Sequence, residues 1–175
     1  MATTTTNSAA TYVPIATQTL SSSATSVSFT SIPQTYTDLC CLLSARFSDS
    51  GTQATVWLQS INGNTSLSNQ WMRGGDGTAS TDASGGIYLG QVNASSSYAN
   101  TFSNLEIMIG NYTTSGKKPI NAMSAQEHET TTVYRSFTTG FWDNTAAVTS
   151  FILDPDGTNS FAQGTKAILY GIKNS

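Results

Sequence analysis

The sequence predicts an all-β protein, an antiparallel β-sandwich of the jelly-roll type. Three observations predict it. Short runs that alternate apolar and polar residues recur along the chain, and clusters of Gly, Pro, Asn, Asp and Ser separate them. Charged helix formers are scarce: Asp, Glu, Lys and Arg make up 10% of the 175 residues, against about 25% in an average domain. Roughly three residues in ten are Ser or Thr. Thr suits a pleated surface through its branched Cβ, whereas an amphipathic helix would find few charged residues for its solvent face.

Residues 1–11 read as a short extended polar arm and 12–175 as one β-sandwich domain. Val13 to Leu20 is the first strand-like run. Thr25 to Ile32 alternates, with Val27 and Phe29 opposite Ser26, Ser28 and Thr30, and Pro33 ends it because proline cannot donate to a ladder. Asp38 to Phe47 carries the continuous apolar stretch Leu39-Cys40-Cys41-Leu42-Leu43, which fits a strand covered on both faces or one with a bulge. Ala54 to Ile61 places Val56 and Leu58 opposite Trp57. Asn62-Gly63 predicts a type I′ hairpin turn, where both residues need positive φ, and Leu67 to Met72 is the expected return strand. Gly74 to Gly86 reads as a long loop, Ile87 to Val92 as a strand, and 93–100 as a second polar loop.

The second half is more regular. Phe102 to Ile109 puts Leu105, Ile107 and Ile109 on one face. Pro119 to His128 follows, then Val133 to Trp142, with Val133, Phe137 and Phe141 on one side and Tyr134, Thr138 and Trp142 on the other. Val148 to Leu153 runs into the turn Asp154-Pro155-Asp156-Gly157. Thr165 to Ile172 is apolar enough to belong inside a sheet. Eight of these ten or eleven strands fill a jelly roll, and the others lengthen its sheets.

Searches for chemistry return little. A net charge of −3 and a pI near 4.8 argue against nucleic-acid binding, which needs a basic stripe. Lys117-Lys118 reads as a solvated loop tip. Adjacent Cys40 and Cys41 point to opposite faces of a strand and read as small buried thiols. No stretch approaches the roughly 20 apolar residues of a membrane helix. Met1 to Ala10 lacks the basic and apolar segments of an export signal, so the sequons at Asn64, Asn93 and Asn111 read as accidents of composition. The single histidine, His128, sits between Glu127 and Glu129, and all three read as surface residues. The Asp154–Asp156 loop echoes the start of a calcium loop but lacks the later acid. Gly74-Gly75-Asp76-Gly77 lacks the lysine and helix of a phosphate loop. No catalytic set, metal site or cofactor motif emerges. Among Trp57, Trp71 and Trp142, Trp71 is the expected exposed one. With Tyr98 and the loops 74–86 and 93–100 it makes a candidate glycan or receptor contact.

Three segments carry a resemblance. They are Phe29-Thr30-Ser31-Ile32-Pro33-Gln34-Thr35-Tyr36-Thr37-Asp38-Leu39 running into Leu43-Ser44-Ala45-Arg46, then Trp142-Asp143-Asn144-Thr145-Ala146-Ala147-Val148-Thr149-Ser150-Phe151, and Ala167-Ile168-Leu169-Tyr170-Gly171-Ile172-Lys173. Together they resemble a family of small β-rich virion structural proteins of tailed bacteriophages, including phages of cyanobacteria. Similar domains form parts of longer fibre-like proteins. The resemblance implies a β fold on the particle exterior, made in the host cytoplasm, without catalysis. Its expected place is capsid decoration, head fibre or tail fibre. Its expected partners are other virion proteins and further copies of the chain, with a trimer as the expected homo-oligomer. The alternative expectation is a receptor- or glycan-binding module of a tail fibre.

Overall fold

The computed structural model describes residues 11–74, 79–82, 85–127 and 133–173. These form twelve strands and no helix. In chain order they are β1 (Tyr12–Thr19), β2 (Val27–Phe29), β3 (Asp38–Ala45), β4 (Gln53–Ile61), β5 (Leu67–Gly74), β6 (Ala79–Asp82), β7 (Ile87–Asn93), β8 (Ser103–Ile109), β9 (Lys118–Glu127), β10 (Val133–Trp142), β11 (Phe151–Pro155) and β12 (Lys166–Ile172). Eight make one antiparallel sheet, in the order β1-β12-β3-β8-β9-β10-β5-β6. Four make the second, in the order β2-β11-β4-β7. The protein is thus the expected β-sandwich. The apolar strand at 166–172 lies inside a sheet as predicted, between β1 and β3. Without the hairpins β5–β6 and β9–β10, the large sheet reduces to β1-β12-β3-β8.

Alternation decides what faces inward. Leu39, Cys41 and Leu43 of β3 lie across from Ile109, Ile107 and Leu105 of β8, and all six are buried. Val27, Phe29, Val56, Leu58, Phe151 and Leu153 come from the small sheet to meet them. Phe29 packs on Phe151 and Phe47 on Phe161, each pair with ring centroids 5.2 Å apart. Cys40 and Cys41 are both free and buried. Burial pushes the Cys40 thiol pKa up to about 11 and raises that of Cys41 as well, which keeps both as unreactive thiols.

Toward the Glu127 end of β9 and the Val133 end of β10 the inward face turns polar, beyond the core residues Ile120, Ala122 and Trp142. Ser124, Gln126, Ser136 and Thr138 are buried there, while Phe137 and Phe141 face outward. The reason is space. Gly90 of β7, at φ 127°, comes so close that a Cβ on it would overlap the Ser124 side chain, and Tyr88 Oη lies 3.1 Å from Ser136 Oγ. A phenylalanine on the inward face would collide with β7.

Several expectations change. The tight turn forms: Asn62 and Gly63 have φ of 52° and 73°, and the Asn64 amide donates to the Ile61 carbonyl at 2.8 Å. No hairpin follows it, because β4 already has β11 and β7 on its two edges, and β5 pairs with β10 and β6 instead. The Asn62 side chain secures that arrangement. Its Oδ1 accepts from the Thr149 and Ser150 amides at 2.9 and 3.0 Å, and its Nδ2 donates to the Ala147 carbonyl at 2.7 Å. The approach to β11 therefore occupies the edge a return strand would need. The loop expected at 74–86 contains β6, which pairs antiparallel with β5. Two strands are shorter than expected, with β2 confined to 27–29 and β11 starting at Phe151. Lys118 is no loop tip. It opens β9 fully buried, with Nζ donating to the Gly116 carbonyl at 2.5 Å and lying 5.8 Å from the Trp142 ring centroid. Burial lowers its pKa. Lys117 does face solvent, 2.9 Å from Asp143.

Candidate functional site

Two surface features stand out, one apolar and one polar. The apolar one is the outer face of the eight-stranded sheet. Among the described residues, the exposed large hydrophobic ones are Tyr12, Leu42, Met72, Tyr98, Met123, Phe137 and Phe141. By strand register all of them except Tyr98 point outward from this one face. The ladder lines up Ile168, Leu42, Glu106, Met123, Phe137 and Met72 as direct neighbours on β12, β3, β8, β9, β10 and β5. The row crosses five strand spacings, roughly 24 Å. Met72 is 59% exposed, Met123 52% and Phe137 47%, and as ladder neighbours they form a contiguous apolar patch. Beside Glu106 the row deepens into a groove of about 430 Å³ between Leu42, Met123 and Ile168, with Lys166 at its edge.

The polar feature lies at the small sheet. Trp57 of β4 is the ladder partner of Asp154 on β11, so both side chains stand on the same, outer face. Between Ile152 and Leu153 the register slips, leaving Gln59 as the extra, bulged residue of β4. Bulges of this kind re-aim a side chain. Trp57, Gln59, Gly86, Asp154 and Asp156 line a cleft of about 470 Å³ together with the Pro155–Gly157 turn. The turn is held down by the Asp156 amide donating to the Thr55 carbonyl at 2.9 Å. Burial raises the Asp154 pKa. The described residues contain no cluster of three or more His, Cys, Asp or Glu side chains placed to hold a metal ion.

The residues singled out from the sequence fall elsewhere. Trp71 is only half-exposed and faces inward from β5. Its ring lies on Tyr88, with centroids 4.6 Å apart, and Tyr88 in turn meets Trp57 at 5.8 Å. Trp71 therefore braces the aromatic wall from behind. Tyr98 is 54% exposed on the loop after β7 and lines neither feature. That loop is organised by Arg46, whose buried guanidinium donates to the carbonyls of Ser95, Ser97, Tyr98 and Thr101 at 2.8–3.2 Å. Glu127 is exposed at the end of β9. His128, Glu129, Asp76 and the arm 1–10 lie outside the described residues.

Trp57, which the sequence places with the packing tryptophans, is the one that lines the cleft. Its signal was present: Trp57 alternates against the core residues Val56 and Leu58, which places it on the outer face. Asp154 and Asp156 read as a turn because nothing local shows that the turn lies beside Trp57. Compared with protein-family models, curated proteins and solved structures, the chain matches none.

Proposed function

We propose that this chain is a non-enzymatic structural protein on the exterior of a tailed-bacteriophage particle, held there by protein–protein contacts through the outer face of its large sheet. The observation that carries the reading is the row in which exposed Leu42, Met123, Phe137 and Met72 line up with half-buried Ile168, interrupted by Glu106. Burying a fully exposed side chain of this kind is worth about 1.5–3 kcal/mol, and each half-exposed member of the row adds a fraction of that to a contact that covers it. The surface elsewhere is polar and low in charge, which suits binding by apolar contact and not by salt bridges.

Strand order supports the same setting. The order β1-β12-β3-β8 facing β2-β11-β4-β7 supports a jelly-roll reading, in which the hairpins β5–β6 and β9–β10 lengthen the first sheet. Those two hairpins supply Met72, Met123, Phe137 and Phe141, so most of the apolar row sits on strands added to the eight-stranded plan. Decoration protein, head fibre and tail fibre are the positions this reading allows, with symmetric copies of the chain, a trimer, as the assembling unit.

Purified particles test it. The chain is expected among virion proteins by mass spectrometry, and as a β-sandwich on the exterior in an electron-microscopy map. Met123→Glu with Phe137→Glu is expected to lower its occupancy at least tenfold while the isolated protein stays folded. Absence from purified particles, or full occupancy of the double variant, would sink the proposal.

A further inference from the structure

We infer that the cleft at Trp57 binds a hexopyranose ring, with the indole as platform and Asp154, Asp156 and Gln59 as hydroxyl partners. The site is separate from the apolar row. One lies on the outer face of the small sheet and the other on the outer face of the large one.

The lining selects the ligand. Among the described residues it combines one indole, two carboxylates and one primary amide, with no Lys, Arg or His. Carboxylates without a cation repel phosphates, sulfates and other anions. A wholly apolar ligand would leave both carboxylates desolvated without partners. A simple cation would use the carboxylates, the ring face and the Gln59 carbonyl oxygen but would leave the amide NH2 unused, so cations are the competitors to test against. A sugar ring uses every group. Its C–H face lies on the indole, its hydroxyls donate to the carboxylates, and a hydroxyl oxygen accepts from Gln59 Nε2.

The cleft is also built and held open. A Cβ on Gly86 would stand 3.4 Å from Trp57 Cε3 and 3.7 Å from Gln59 Oε1, so the missing side chain there leaves both groups uncovered. Gln59 reaches the cleft because it is the bulged residue of β4. The opposite wall, the Pro155–Gly157 turn, is tied to Thr55 and also receives the Asn159 side-chain amide on the Asp156 carbonyl at 2.6 Å. Trp57 is steadied by the edge-on Tyr88 ring, with an interplanar angle of 80°. A volume of about 470 Å³ falls within the roughly 300–1,000 Å³ of small-molecule sites.

Saturation-transfer NMR on the purified chain tests the assignment. The probes are D-glucose, D-galactose, D-mannose, L-rhamnose and N-acetyl-D-glucosamine at about 10 mM, matched to the millimolar affinity of a single ring. Tetramethylammonium and calcium chloride serve as competitors. At least one sugar is expected to receive saturation on its ring protons. Asp154→Asn and Gly86→Val, both compatible with the fold, are each expected to weaken it about tenfold, and Tyr98→Ala to leave it unchanged. Silence from all five sugars would overturn the inference. Binding that survives both cleft variants, or a cation that displaces every sugar, would do the same. Because the measurement needs no virus, its failure leaves the particle proposal untouched.

Discussion

Asp154 shows what a binding group costs at the scale of one residue. Its carboxylate sits where burial raises the pKa, so at neutral pH the folded chain keeps a charge that the unfolded chain carries in full solvent. Asp154→Asn is therefore expected to raise the melting temperature at pH 7 even as it weakens sugar binding. The sign follows from linkage. With the folded pKa above the unfolded value of 3.8, the penalty is present at high pH and fades as pH falls through the raised pKa. The melting-temperature difference between variant and parent is expected to shrink between pH 7 and pH 4. A difference that grew on acidification would show that the carboxylate is stabilised where it sits. Arg46 is the opposite kind of residue: a buried cation satisfied by backbone carbonyls that shapes a loop. Its partners lie about fifty positions along the chain, so nothing in the local sequence marks it.

Elements reveal how three separated segments work together. Asn62, in the turn after β4, grips residues 147–150, while Gln34 Nε2 donates to the carbonyls of Ile32 and Val148 at 2.8 and 2.9 Å. The Tyr112 hydroxyl donates to the Pro33 carbonyl, and the Tyr36 ring fills the space over Gly171 so closely that any Cβ there would overlap it. Residues 32–36, 147–150 and 171 thus meet at one end of the sandwich, where they are needed for packing and pairing. Asn62→Ala is expected to cost about 2–3 kcal/mol in urea denaturation, since it strips three partners and puts Ala at positive φ. A loss below about 0.5 kcal/mol would mean that water replaces the grip. Strand positions were legible because alternation and turn residues are local signals; β8 was expected at 102–109 and spans Ser103–Ile109. Which face of β10 points inward was not legible. Its phenylalanines would suit a core, and only the approach of Gly90 from another sheet turns them outward. The same limit hid the Trp57 cleft, whose parts come from β4, the segment before β7, and β11.

At the scale of the whole molecule, the two final strands are not additions to a finished body. β12 fills the gap between β1 and β3, and β11 the gap between β2 and β4. Each sheet is interrupted until residues beyond 150 arrive, so during synthesis the first 150 residues emerge with their intended neighbours still unmade. Contacts this distant in sequence make folding slow, in the range of milliseconds to seconds or longer. A chain stopped after Gly164 is expected to unfold without cooperativity and to be digested rapidly, whereas the full chain unfolds in one transition and resists protease. A protease-resistant fragment ending before Lys166 would contradict this. The order of assembly then becomes a form of timing. Until β12 is made, the apolar row has no finished sheet to stand on, so that face takes shape only after the strands that carry most of it.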